Sequence, residues 1–144
     1  MAKKAKAKAF VLDGSVSLAW YFKDEASPYA DAVASRFPEM TAVVPPIWPL
    51  EVANAVLMGE RRKRSTEAQA VKWFNYLGSL PITTDDDSTS RAWSEVLGLA
   101  RLYQLSAYHA AYLELALRRG LALATLDEPL RAAAGAAGVA LFEP

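Results

Sequence analysis

The chain has 144 residues, no cysteine and one histidine, and its sixteen Lys and Arg balance sixteen Asp and Glu. This length suits one compact domain with a single core, and the missing cysteines exclude a disulfide framework, a Cys-ligated zinc site, an iron–sulfur cluster and thiol chemistry. No run of about 18 apolar residues exists, which excludes a membrane-spanning helix. Zero net charge argues against a protein that coats nucleic acid by bulk positive charge, though not against a nuclease whose metal-binding acids offset its basic contacts.

Residues 1–9 (MAKKAKAKA) read as a solvated basic tail, with 10–144 as one domain. They lack the apolar core and cleavage site of a signal peptide, so the cytoplasm is the expected compartment. The apolar run over 7–12 predicts a strand ending at Asp13–Gly14, followed by helices over 15–22 and 28–36, the second with Ser27 as N-cap. A short strand over 42–44 stops at Pro45–Pro46. From 49 to 62, Leu50, Ala53, Val56 and Leu57 recur at helical spacing, and a further helix spans 66–77. A strand over 80–83 leads into a polar turn over 85–87, then helices over 88–103 and 106–119, with Gly120 as the stop. A strand over 121–125, a small-residue helix over 128–137 and a last strand over 139–142 complete the chain. Strands separated by helices predict right-handed crossovers and a parallel five-stranded α/β sheet with helices on both faces.

In such a sheet, ligands bind beyond the carboxyl ends of the strands. Asp13 ends the first strand and Asp127 follows the fourth, each after a strongly apolar run. One aspartate in that place often caps the next helix; two on strands expected near the sheet centre point to a site. Glu51 opens the third helix and shares a face with Asn54, and polar groups on a buried face need a partner. A divalent cation held by Asp13, Glu51 and Asp127 would be one; such oxygen ligands suit Mg²⁺ or Mn²⁺. The ion would activate water for phosphodiester hydrolysis. Ser15 and Thr125 stand beside the two aspartates, either supporting them or capping their loops.

VLDGSVSLAW near the start, PLEVANAV in the middle and LSAYHAAYLELALRRGLALATLDEPLRAAA near the end resemble the PIN-domain ribonucleases, above all the VapC-like toxins of toxin–antitoxin pairs. The resemblance extends from residue 10 to 142. It implies a parallel α/β/α domain, Mg²⁺- or Mn²⁺-dependent endoribonuclease activity on an RNA substrate, a homodimer, and a cognate antitoxin that occupies the acidic site. By that resemblance the metal-site acids are Asp13, Glu51 and Asp127. A fourth aspartate is expected in the middle of Tyr108-His109-Ala110-Ala111-Tyr112, where this chain has its only histidine.

His109 admits three readings: an exchange that attenuates the enzyme, a native variant using a softer metal or acting as a non-catalytic binder, or a helix-start histidine bonded to a loop carbonyl away from the acids. Imidazole in place of carboxylate removes one charge and one oxygen ligand, so weaker Mg²⁺ binding and lower activity are expected. Arg61, Arg62 and Arg64 form the densest basic run, either a solvated helix end or a contact for RNA or antitoxin. The aromatic clusters Trp20-Tyr21-Phe22 and Trp73-Phe74-Tyr76 suit a core, a dimer face or an antitoxin groove. The rival to a nuclease is a catalytically inactive binding or regulatory module of the same fold. A phosphate-binding glycine loop and a G-x-S-x-G elbow are both lacking, which disfavours a nucleotide-binding protein and a serine hydrolase.

Overall fold

A computed structural model describes residues 8–144. Of the basic tail over 1–9, all but Lys8 and Ala9 lie outside the described residues. Strand β1 (Ala9–Leu12) is followed by helices α1 (Gly14–Tyr21) and α2 (Pro28–Ala34), and β2 (Thr41–Val44) by α3 (Trp48–Arg61) and α4 (Glu67–Gly78). Strand β3 (Ile82–Thr84) leads to α5 (Leu97–Tyr103) and α6 (Ala107–Arg119), and β4 (Leu123–Ala124) to α7 (Glu128–Ala137). The sheet is parallel with the order β3-β2-β1-β4. The central strands AFVL and TAVV are buried almost throughout, as expected where helices cover both faces.

From β1 the chain steps outward to β2 and β3, then returns to the other side of β1. With right-handed crossovers, this reversal puts α1–α4 on one face and α5–α7 on the other. It also opens a crevice between the carboxyl ends of β1 and β4, where open α/β sheets bind ligands.

Four strands form among the described residues, not the expected five. The segment over 139–142 makes one bridge, Leu123 with Leu141, through hydrogen bonds on either side of Leu123. The ladder ends there because the groups that would extend it are occupied or missing: the Phe142 carbonyl accepts the Tyr29 hydroxyl, the Thr125 carbonyl accepts Arg131, and Pro144 has no N–H.

Two helices depart from the pattern read in sequence. In α3 the packed face is Trp48, Val52, Val56 and Gly59, whereas Leu50 and Leu57 are exposed. Trp48 sets this rotation by donating its indole N–H to Ser17 Oγ on α1 at 3.0 Å. Gly59 allows the approach, since a Cβ there would lie 2.7 Å from the Phe22 ring. The expected helix over 88–103 is a 3-10 turn (Thr89–Arg91), a π turn (Ala92–Val96) and only then α5. Gly120 ends α6 in the left-handed conformation, as expected. No helix among the described residues is long and apolar enough to cross a membrane.

Candidate active site

Asp13 sits just past β1 and is almost fully buried. It occupies the N-cap position of α1, yet its side chain caps nothing there. Instead Oδ2 accepts two hydroxyl hydrogen bonds, from Ser15 and from Thr125, both at 2.7 Å. Ser15 and Thr125 also receive the backbone N–H groups of Leu126 and Asp127 at 2.9 and 3.0 Å. The hydroxyls therefore tie the loop after β1 to the loop after β4 and fix the Asp13 carboxylate between them. Among the described residues no hydrogen bond engages Oδ1.

Asp127 does cap its helix, with Oδ2 accepting the Leu130 N–H at 2.9 Å. The same oxygen lies 3.7 Å from His109 Nδ1. His109 is the third residue of α6, whose first turn is closed by its backbone N–H on the N-cap Ser106 hydroxyl. The ring thus reaches Asp127, and no loop carbonyl accepts from it among the described residues.

Glu51 lies in the first turn of α3 and accepts the hydroxyl of Tyr112, a fully buried residue one turn beyond His109 on α6. Burial pushes the Glu51 carboxyl above its ordinary value; the Tyr112 hydrogen bond pulls down, the Asp13 charge pushes up and His109 pulls down. Burial also pushes the Tyr112 phenol up, reinforced by the charges of Asp13 and Glu51, so it remains a donor.

Asp13, Ser15, Glu51, Asn54, His109 and Asp127 line one cavity of about 440 Å³ at the β1–β4 crevice. The α3 face bearing Glu51 and Asn54 opens onto this cavity rather than into the core. The donor set is hard, mostly carboxylate oxygen, and fits a divalent cation in kind. No three of the His, Asp and Glu side chains among the described residues are gathered tightly enough to hold an ion as they stand. Like charges without a cation repel.

Sequence reasoning missed a second acidic cluster. Asp85, read as part of a polar turn, is buried directly after β3 and binds Arg118 at 2.8 and 3.2 Å. Arg118 also binds the buried Glu114 at 2.8 and 3.1 Å, and Ser88 donates its hydroxyl to Asp85. Burial raises the Asp85 carboxyl, but hydrogen bonds from Arg118 and Ser88 and the charges of Arg118 and Arg119 outweigh it and bring it down to about 2. The signal was available, since Asp85 obeys the same strand-end rule as Asp13.

Of the basic run, Arg61 and Arg62 are exposed, while Arg64 is engaged. Its guanidinium stacks 4.0 Å from the Phe22 ring centre and pairs with Asp24 at 2.8 Å and Glu25 at 2.9 Å. The two aromatic clusters meet, with Tyr21 and Trp73 4.8 Å apart, beside a cavity of about 920 Å³ between α1 and α4.

A parallel α/β domain with carboxylates at the strand-order reversal defines a class of acid-site proteins. The PIN domain family model matches residues 10–136, and the chain belongs to that family. No curated protein matches it significantly. Among solved structures it is similar to PAE2754 from Pyrobaculum aerophilum, with a TM-score of 0.62, 21% identity, and 90% of this chain and 87% of that one covered. It is also similar to FitAcB from Neisseria gonorrhoeae (TM-score 0.60, 18% identity, 94% and 97% covered). A toxin–antitoxin complex from Klebsiella pneumoniae gives 0.55 and 18%, with 82% and 86% covered. At these identities the likeness is one of fold.

Proposed function

We propose that the chain is a VapC-like, metal-dependent endoribonuclease toxin whose activity is attenuated by His109. One observation carries this reading: Asp13 is buried, held by two hydroxyls through one oxygen, and faces a cavity shared with Glu51, Asp127 and His109. A buried carboxylate spent on no cap and paired with no guanidinium needs an external countercharge. Asp13, Glu51 and Asp127 would hold Mg²⁺ or Mn²⁺, with Asn54 beside them. A bound cation there supplies a water of lowered pKa and stabilises charge on a phosphoryl oxygen. Ser15 and Thr125 keep Asp13 oriented, and Tyr112 does the same for Glu51.

Arg61 and Arg62, at the far end of the helix that carries Glu51, are suited to contact the RNA backbone. Replacing both with alanine lowers the salt slope of single-stranded RNA binding by about 1.4 if each touches one phosphate. Arg64, Tyr21 and Trp73 border the groove suited to a cognate antitoxin, and one structural relative is described as a toxin–antitoxin complex. Leu50 and Tyr108, 67% and 60% exposed, line one groove with Ala92 and Val96, an apolar face that a second copy of the chain would cover as a homodimer. Leu50→Asp then yields a monomer in sedimentation.

The decisive experiment restores the expected acid. His109→Asp raises RNA cleavage in Mg²⁺ at least about tenfold, the scale seen when ligand sets are perturbed, and Asp13→Asn in that background abolishes it. No gain in either Mg²⁺ or Mn²⁺ would favour the inactive binding module instead.

A further inference from the structure

Tyr112 was not singled out by its sequence, yet it is the largest fully buried side chain among the described residues. A buried phenol must place its hydroxyl on a partner, and this one donates to Glu51 Oε1. The donor comes from α6, the acceptor from the first turn of α3, and the hydroxyl stands 4.0 Å from where a Cβ on Gly14 would lie. Three elements therefore converge on one O–H group, and two of the residues beside it, Gly14 and Glu51, line the cavity.

Its action on Glu51 parallels that of Ser15 and Thr125 on Asp13. In each case hydroxyls occupy one carboxylate oxygen. The other oxygen, Oδ1 of Asp13 and Oε2 of Glu51, has no hydrogen bond among the described residues. A glutamate has more side-chain freedom than an aspartate and loses more on being fixed. Glu51 is the more loosely tethered of the two, with Tyr112 as its only hydrogen-bond partner among the described residues.

We propose that Tyr112 is a positioning residue that anchors Glu51 through Oε1, presents Oε2 to the cavity and thereby sets the affinity of the site for a divalent cation. This rests on the metal-dependent reading of the site. Groups that orient metal-binding side chains typically contribute about 10–100-fold in affinity. The effect of Tyr112 falls at the lower end, because Glu51 is one ligand of several.

The test uses the full chain and Mn²⁺ alone, with free ion read from its electron paramagnetic resonance signal and folding from circular dichroism. Tyr112→Phe keeps the buried ring, and weakens Mn²⁺ binding about tenfold. Tyr29→Phe removes a hydroxyl that donates to the Phe142 carbonyl at 2.7 Å, away from the cavity, and leaves binding unchanged. In a Glu51→Ala background, Y112F has no further effect, because the side chain it positions is gone. Mn²⁺ binding that disappears in Asp13→Asn but stays within twofold of the parent in Y112F overturns the role of Tyr112 alone. Binding absent from the parent, or unaffected by D13N, overturns the metal-centre reading and the Tyr112 assignment with it. Should Y112F fail to fold, magnetic resonance of the unmutated chain decides: saturating Mg²⁺ shifts the Tyr112 ring signals but not those of Tyr29, and an unmoved Tyr112 refutes the assignment.

Discussion

Helix α6 touches a group of carboxylates near each end, and the two groups are balanced differently. Near its start, Asp13, Glu51 and Asp127 face one cavity with a single imidazole among them. Near its end, Asp85 and Glu114 are held by Arg118, with Arg119 3.6 Å from Asp85. The second group closes its own account of charge and needs nothing from outside. The first is left with negative charge that its protein partners, mainly hydroxyls, cannot cancel. Burial and acidity are common to both, so the presence or absence of a built-in guanidinium is what separates the self-neutralised cluster from the one proposed to bind a cation.

The largest test of this contrast is Arg118→Met. It removes the guanidinium shared by two buried carboxylates, leaving them the longer contacts to Arg119 and Arg91, and costs about 3–5 kcal/mol in urea denaturation; a loss below about 1 kcal/mol would mean the network behaves as a solvated surface pair. The same network sets an acid limit. The Asp85 carboxyl is lowered from 3.8 to about 2, so its stabilisation is complete above 3.8 and lost as pH falls through about 2. Acid unfolding of the parent should show this limb, and R118M should lose it.

His109→Asp sharpens the other side. A further carboxylate beside Asp127 destabilises the cation-free protein by about 1–2 kcal/mol, from Coulomb repulsion at an effective dielectric near 20 and partial screening. Added Mg²⁺ should reverse the loss in thermal melting, and indifference to Mg²⁺ would break the comparison.

Glu51→Gln gives the smallest effect, with the opposite sign to R118M. Burial raises the Glu51 carboxyl, so the folded chain holds that proton more tightly than the unfolded chain. Its destabilising contribution is therefore absent below 4.5 and complete at pH values above its raised folded-state value. Removing the charge while keeping the acceptor for Tyr112 should slightly stabilise the cation-free protein at pH 7. A destabilisation on calorimetry would place Glu51 with the structural acids.

The parallel sheet and the acids at the ends of its strands were legible because both follow from local pattern. Apolar runs marked β1 and β2, and the polar residues that stop such runs mark a crevice. Ser15 and Thr125 were visible as neighbours of the aspartates, though only the fold shows that both hydroxyls meet on one oxygen. The buried face of α3 was not legible: Leu50 and Leu57 are as apolar as Val52 and Val56, and the bond from Trp48 to Ser17 decides between them. Asp85 hid in a run of three aspartates that reads as a turn, because its partner lies 33 residues away. The fifth strand failed for a related reason: the carbonyls of its next rung accept the side chains of Tyr29 and Arg131, the first 113 residues away, and Pro144 offers no N–H.

Asp127 has a consequence for how this protein can be mutated. One oxygen of its carboxylate starts helix α7, whose Leu130, Ala133 and Ala134 are buried. Selection for loss of the proposed toxicity at this codon would therefore recover two kinds of survivor that phenotype cannot tell apart: chains with a silent cavity and chains with a loosened carboxyl-terminal helix. Serine and asparagine, which begin helices well but carry no charge, would separate them. Alanine, the usual choice in a scan, would merge the two.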